Sequence, residues 1–250
     1  MAISHEEHAD LDAFARVEHW IFDLDNTLYP HHSNLFAQID EKMTSYLSKL
    51  LELGKDEARK VQKNYYRTYG TTMRGLMVEQ GITPDDFLDF VHDIDHSVLE
   101  PDPKLNDIIS QLPGHKYVFT NGTKKHAEAV LERLGISTPF RHVFDIVSAE
   151  LIPKPNGETY DKFFNATGVD PKRAAMFEDL SRNLKVPDER GMLTTLIVPR
   201  GTREVFHEEW ELEGRDDNHV HYVTDHIADF LEDVQAAIKS ASNGAANGAA

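Results

Sequence analysis

No cysteine occurs in the 250 residues, an absence that removes disulfides, thiolate nucleophiles and cysteine-ligated zinc together. Positive charge is scarce as well: 26 Lys and Arg stand against 43 Asp and Glu, a net charge of −17. That balance argues against a nucleic-acid polyanion or an anionic membrane surface as partner. It leaves a small phosphorylated substrate open, because screening over about 8 Å puts local charges and any bound cation in control of a site. No apolar run approaches a membrane span, residues 1 to 7 carry neither the basic nor the apolar region of a signal peptide, and no repeat recurs at solenoid periods. Also missing is a glycine-rich phosphate loop ending in Lys and Ser or Thr. A cytoplasmic enzyme fits these absences, and the length allows one large α/β domain or a core with an insert.

What is present begins with an apolar run, Val17 to Phe22, that ends abruptly in Asp23 and Asp25. From about Pro30 to Pro113 apolar residues recur at helical spacing only, as in Leu35, Ile39, Met43, Tyr46 and Leu47. Some eighty residues of helix between two strands exceed a crossover and read as an inserted helical cap. Beyond Pro113 strand and helix alternate. Strands are expected at His115 to Phe119, Phe144 to Val147, Ala174 to Phe177 and Leu193 to Val198. Thr123 and Gly135 are suited to cap and terminate a helix over Lys124 to Leu134, and a last amphipathic helix is expected from Thr224 to Ile238. The boundaries that follow are a core of 16–30 and 112–239, a cap of 31–111, and flexible termini at 1–15 and 240–250.

Each strand end carries polar groups: Asp23 and Asp25, then Thr120 and Asn121, then Lys154 in the next loop, then Glu178 and Asp179. Right-handed crossovers bring the carboxyl ends of parallel strands to one edge of a sheet, where ligands bind. Four carboxylates around one point repel unless a cation lies among them, and hard oxygen ligands with room for water favour Mg²⁺. A lysine and a threonine hydroxyl supply donors for a phosphoryl group. One carboxylate can then attack phosphorus while another serves as general acid and base.

Asp23-Leu24-Asp25-Asn26-Thr27, Thr120-Asn121-Gly122, Lys154-Pro155 and Glu178-Asp179 occur in this order, each at a strand end or in the loop behind it. Together they resemble the four motifs of the haloacid dehalogenase (HAD) superfamily. The resemblance implies a Rossmann-like parallel sheet core with an inserted α-helical cap. It implies Asp23 as nucleophile, Asp25 as acid and base, and Thr120, Asn121 and Lys154 at the substrate phosphate. Asp23, the Asp25 backbone carbonyl and Asp179 are implied as Mg²⁺ ligands, with Glu178 joining directly or through water and Asn183 orienting the lysine. Dehalogenase members lack an acid at the position of Asp25 and need no metal, so phosphate ester hydrolysis is the implied reaction. The stretches Asp23 to Pro30, Tyr69 to Leu76 and Phe177 to Leu184 look like the pyrimidine 5'-nucleotidase branch, which hydrolyses UMP and CMP.

Specificity is expected from the cap, since the core motifs meet only phosphate. Arg74, His31 and Tyr65 are its candidates, set against plainer readings as an ion-paired, a loop and a core residue. Asn34 and His32 share the loop reading, and the remaining histidines call for no functional role. Two further readings stay open: the same mechanism on another ester such as a phosphosugar or phosphoglycolate, and an idle phospholigand-binding protein. The expected partner is a small phosphate ester, with no nucleic acid and no membrane; a homodimer is compatible with the sequence.

Overall fold

Residues 11–136, 140–199 and 218–247 are described in the computed structural model, with side chains up to 242. Trp20, Ile21 and Phe22, large and strand-forming, bury β1 (His19–Phe22) from its second residue on. It lies at the middle of a six-stranded parallel sheet of order β3-β2-β1-β4-β5-β6, with β2 His115–Phe119, β3 Phe140–Phe144, β4 Ala174–Glu178, β5 Leu193–Ile197 and β6 Tyr222–Thr224. Side chains alternate between faces as the period of two requires. Trp20, Phe22, Val118 and Phe177 join one apolar cluster, whereas Ile21, Tyr117, Phe119 and Met176 join another. Helices α5 (Pro103–Gln111), α6 (Lys124–Leu134) and α9 (Ile227–Asn247) cover the first face; α7 (Gly157–Thr167) and α8 (Ser181–Glu189) cover the second.

Between β1 and β2 lie α1 (Leu35–Leu50), α2 (Lys55–Tyr69), α3 (Thr72–Gln80) and α4 (Pro84–Val91). They gather their own apolar cluster around Ile39, Leu47, Tyr65, Leu76 and Phe87. At Gly75 α3 meets α2 closely: a Cβ there would lie 2.4 Å from Tyr65 Cβ and Cγ, so only glycine fits. Among the described residues no helix is long and apolar enough to cross a membrane.

Several expected boundaries move. The cap limit of 31–111 runs too far, because Leu105, Ile108 and Ile109 of α5 pack into the sheet's cluster rather than the cap's. The lead-in is not loose from residue 11 onward: Leu11–Arg16 form a 3-10 helix whose Phe14 is fully buried and stacked 5.9 Å from Trp20. Residues 1–10 lie outside the described residues. The tail expected to be flexible from 240 continues α9 to Asn247, as its alanines favour, and 248–250 lie outside the described residues. The strand expected at Phe144 to Val147 lies earlier, at Phe140–Phe144. Its polar Arg141 and His142 hide it in the sequence, and Asp145 ends it by accepting from the Lys124 and Ser148 amides at 2.8 and 2.9 Å. Thr224 closes the short edge strand β6 rather than opening the last helix, which begins at Ile227.

Candidate active site

The strand order reverses between β1 and β4: the chain builds outward from β1 through β2 to β3, then returns to the far side of β1. A crevice at such a reversal, outside the carboxyl ends of the strands, is where a parallel sheet binds ligands. Asp23 follows β1 directly, its amide donating to Phe177 O of β4 at 2.9 Å, and Glu178 is the last residue of β4. The two carboxylates are therefore fixed by neighbouring rungs of one ladder.

Lys154 joins them. Its side chain is 1% exposed, and Nζ donates to Asp23 Oδ1 at 2.7 Å, Glu178 Oε1 at 2.6 Å and Phe119 O at 2.8 Å. All three ammonium protons are thus used. Asn121 holds the lysine's backbone from both sides, accepting from Lys154 N at 2.8 Å and donating to Lys154 O at 3.2 Å. The Asn121 side-chain amide is engaged with the lysine loop, and Asn121 also lines the cavity over the site. Thr120 is buried, and its Oγ1 accepts from Gly122 N at 2.9 Å. Asn183 Nδ2 donates to Glu178 Oε1 at 2.7 Å, so it bears on Lys154 through the carboxylate the two share.

Oxygens of Asp23, Glu178 and Asp179 lie within 4.8 Å of one another. Lys154 alone cannot balance them. Burial, against the attraction of Lys154 and with the repulsion of Glu178 and Asp25, pushes the Asp23 carboxyl up to about 7. Burial and the charges of Glu178 and Asp23 likewise hold Asp179 well above the usual carboxylate range. Carboxylates forced to keep protons for want of positive charge are the chemistry a hard divalent cation relieves, so the residues fit Mg²⁺. Asp23 and Asp179 would hold it. Both Glu178 oxygens are already committed, Oε1 to Lys154 and Asn183 and Oε2 to Leu180 N at 3.0 Å, which favours a share through water.

Asp25 stands apart from this trio. Burial tends to raise its carboxyl, but the neighbouring His126, with hydrogen bonds from His126 and Tyr29, outweighs it and holds Asp25 below its ordinary value. Neither partner was assigned a role from sequence. Tyr29 lies two residues beyond the first motif and four after Asp25, whereas His126, 101 positions away, gave no sequence signal that it returns to the same oxygen. Thr27 Oγ1, four residues on, donates to Asp23 Oδ2 at 3.4 Å, and Asn26 Nδ2 crosses between the first and fourth motifs to donate to Asp179 Oδ2 at 3.3 Å.

A cavity of about 790 Å³ opens over these residues and is roofed by the helices between β1 and β2, including Asn34, Asp40, Arg59, Gln62, Lys63 and Tyr66. Of the cap candidates, only His31 lines it, with Nε2 3.8 Å from Asp179 Oδ2; burial and His32 lower its pKa to about 4, leaving the ring neutral. Tyr65 points into the cap's own core, 7% exposed, and its hydroxyl accepts from Gln80 Nε2 at 3.1 Å. Tyr66, its neighbour, faces the cavity instead, since successive helix positions are about 100° apart. Arg74 lines a separate pocket behind the Lys154 loop, with Arg67 and Arg182.

The comparisons with known proteins agree with this geometry. The profile of the haloacid dehalogenase-like hydrolases matches residues 17–185, more than half of the chain. Phosphate metabolism protein 8 of Saccharomyces cerevisiae is 28% identical over 191 residues, 69% of this chain and 59% of that protein. The chain thus spans less than two thirds of this relative's length. A HAD phosphatase from Thermococcus onnurineus shares the fold with a TM-score of 0.57 at 18% identity, over 86% of this chain and 97% of that one. The L-2-haloacid dehalogenase of Xanthobacter autotrophicus with covalently bound chloropropionic acid does so with a TM-score of 0.56 at 15% identity, over 88% and 98%. Fold alone therefore does not separate phosphatase from dehalogenase, but the matched profile and the acidic strand ends leave no doubt of kinship: the chain belongs to the haloacid dehalogenase-like hydrolase family.

Proposed function

We propose that the protein is a Mg²⁺-dependent phosphomonoesterase that hydrolyses nucleoside 5'-monophosphates, pyrimidine nucleotides such as UMP and CMP foremost, through an aspartyl-phosphate. The observation that carries the reaction type is the pairing of Asp25, held apart by His126 and Tyr29, with the under-neutralised trio of Asp23, Glu178 and Asp179. A dehalogenase has use for neither the second acid nor a cation site. The name of the yeast relative, with its reference to phosphate metabolism, supports the same choice.

A carboxylate oxygen of Asp23 attacks phosphorus and the ester P–O bond breaks, with Asp25, protonated once the negative charge of the substrate lies beside it, giving its proton to the leaving alkoxide. Water then attacks the acyl phosphate, Asp25 taking back a proton, and inorganic phosphate leaves. Lys154 holds the Asp23 carboxylate in place and adds positive charge beside the phosphoryl group, and Thr120 borders the same pocket. Asp23 and Asp179 would hold Mg²⁺, which would supply the further neutralisation that the phosphoryl oxygens need.

The substrate class rests on size and lining. A cavity of about 790 Å³ lies in the range of small-molecule sites, and its cap wall carries Tyr66, one face of whose ring is taken by Arg182 at 4.1 Å, beside the Asn34 amide. That combination suits a nucleoside better than a bare phosphosugar. The substrate would be the protein's small-molecule partner, with no nucleic acid or membrane involved. A panel of nucleoside, sugar and glycolate phosphates, assayed for phosphate release in Mg²⁺ and in EDTA, tests the reading. UMP or CMP should lead the panel and lose turnover in EDTA. Another ester in the lead would remove the substrate assignment, and no release from any ester would favour an idle phospholigand-binding protein.

A further inference from the structure

The hydrogen bonds around Asp25 are arranged unequally. Oδ1 accepts from Tyr29 O–H at 2.6 Å and pairs with His126 Nε2 at 2.9 Å, whereas Oδ2 accepts no hydrogen bond among the described residues. Oδ2 lies instead beside Gly122, 3.7 Å from where a Cβ would sit there, with the Thr120 hydroxyl 3.3 Å from the same point. A carboxylate can only accept, so His126 Nε2 carries the proton, and its Nδ1 is then the acceptor for His96 Nε2–H at 3.3 Å. The chain of donors runs one way, from His96 through His126 to Asp25.

His126 belongs to α6 of the core, one turn inside the Thr123 cap, and its side chain is fully buried. Its two other contacts come from the segment that returns from the cap. The ring of His92, at the end of α4, stacks on His126 at 4.7 Å with 19° between planes. His92 Nδ1 is anchored in turn by Leu88 O at 2.9 Å. A buried histidine held only for packing would need one partner. This one is fixed on both nitrogens and one face, and everything that fixes it serves a single oxygen.

We propose that His126 is a positioning residue: with Tyr29 it clamps Oδ1 of Asp25 so that Oδ2 alone faces the reacting ester, and His92 and His96 tie that clamp to the seating of the cap. The proposal rests on the reading of Asp25 as the acid and base of a phosphoryl transfer. A clamped general acid matters most where the leaving group is a poor one. An alkyl alkoxide needs the proton in the transition state, while p-nitrophenolate leaves with little help.

The test compares kcat/KM for p-nitrophenyl phosphate and for an alkyl phosphate, UMP or glycerol phosphate, in folded wild type, His126→Leu, His126→Gln and His96→Phe. His126→Leu should lose about 100-fold on the alkyl ester and less than about 10-fold on the aryl ester, the low end of what a general acid contributes. His126→Gln, which keeps an N–H donor near the same place, should recover most of the alkyl activity, and His96→Phe should shift the ratio in the same direction by less. Equal losses on the two esters, or no rescue by Gln, would overturn the clamp. A second readout needs no turnover: proton NMR should show a slowly exchanging, downfield imidazole N–H that disappears in His126→Gln and moves in Asp25→Ala. Absence of that signal from wild type overturns the proposal whatever the activity. Its presence in a wild type that cleaves neither ester would keep the clamp and remove the phosphomonoesterase reading.

Discussion

Asp23 and Asp25 are one residue apart, yet their surroundings push them in opposite directions. Asp23 faces buried acids with one lysine to offset them, and its carboxyl rises to about 7; Asp25 faces His126 and Tyr29 and is held low. A cation beside Asp23 would bring its carboxyl back down and leave the ionised form that a nucleophile needs. The sign of the Asp23 shift has a measurable consequence. A folded pKa raised from 3.8 means that its contribution to stability is complete below the unfolded value and is lost as pH rises through about 7. Mg²⁺ needs the ionised form and competes with the proton. The stabilisation that Mg²⁺ gives over EDTA should therefore grow between about pH 5 and pH 8. Thermal melts in the two buffers across this range check it; a gap that is constant, or absent, would show that Asp23 does not face the cation.

At the scale of elements, positions that depend on local chemistry were readable and those that depend on packing were not. Thr123 and Gly135 bound α6 as their residue types require, Thr123 Oγ1 accepting from His126 N and Gly135 taking a left-handed φ of 72°. Edge strand β3 was expected four residues too late and edge strand β6 escaped notice, because an edge strand carries polar residues on its open side, which blurs the alternation. Tyr65 and Tyr66 show the same limit within one helix. Both are tyrosines on α2, and only the packing of the helix tells them apart: Tyr65 lies against Gly75 of α3 while Tyr66 meets the cavity. Gly75→Ala should accordingly cost about 1–3 kcal/mol by overpacking the α2–α3 contact. Urea unfolding of the variant against wild type measures this. An unchanged midpoint would mean that the two helices are free to separate.

For the molecule as a whole, the site was legible because the family of parallel sheets leaves little choice: consecutive strands with right-handed crossovers deliver their carboxyl ends to one edge, so Asp23, Thr120, Lys154 and Glu178 had to meet. The partners of those residues were not legible. His126 reaches Asp25 from 101 positions away, and Arg74, Tyr65 and His31 divide among a rear pocket, the cap core and the cavity according to how the cap sits on the core. The central claim joins the scales, for it requires the sheet to aim Asp23 at phosphorus and Asp25 to be poised beside it. Its most direct measurement is an acid quench of the Asp25→Asn variant during turnover of a labelled phosphate ester, followed by mass spectrometry of the peptide that contains residue 23. Phosphate on Asp23, accumulating because its hydrolysis has lost the base, is the expected result. Phosphate on another residue, or ester cleaved with no phosphoenzyme formed in variant or wild type, would contradict it.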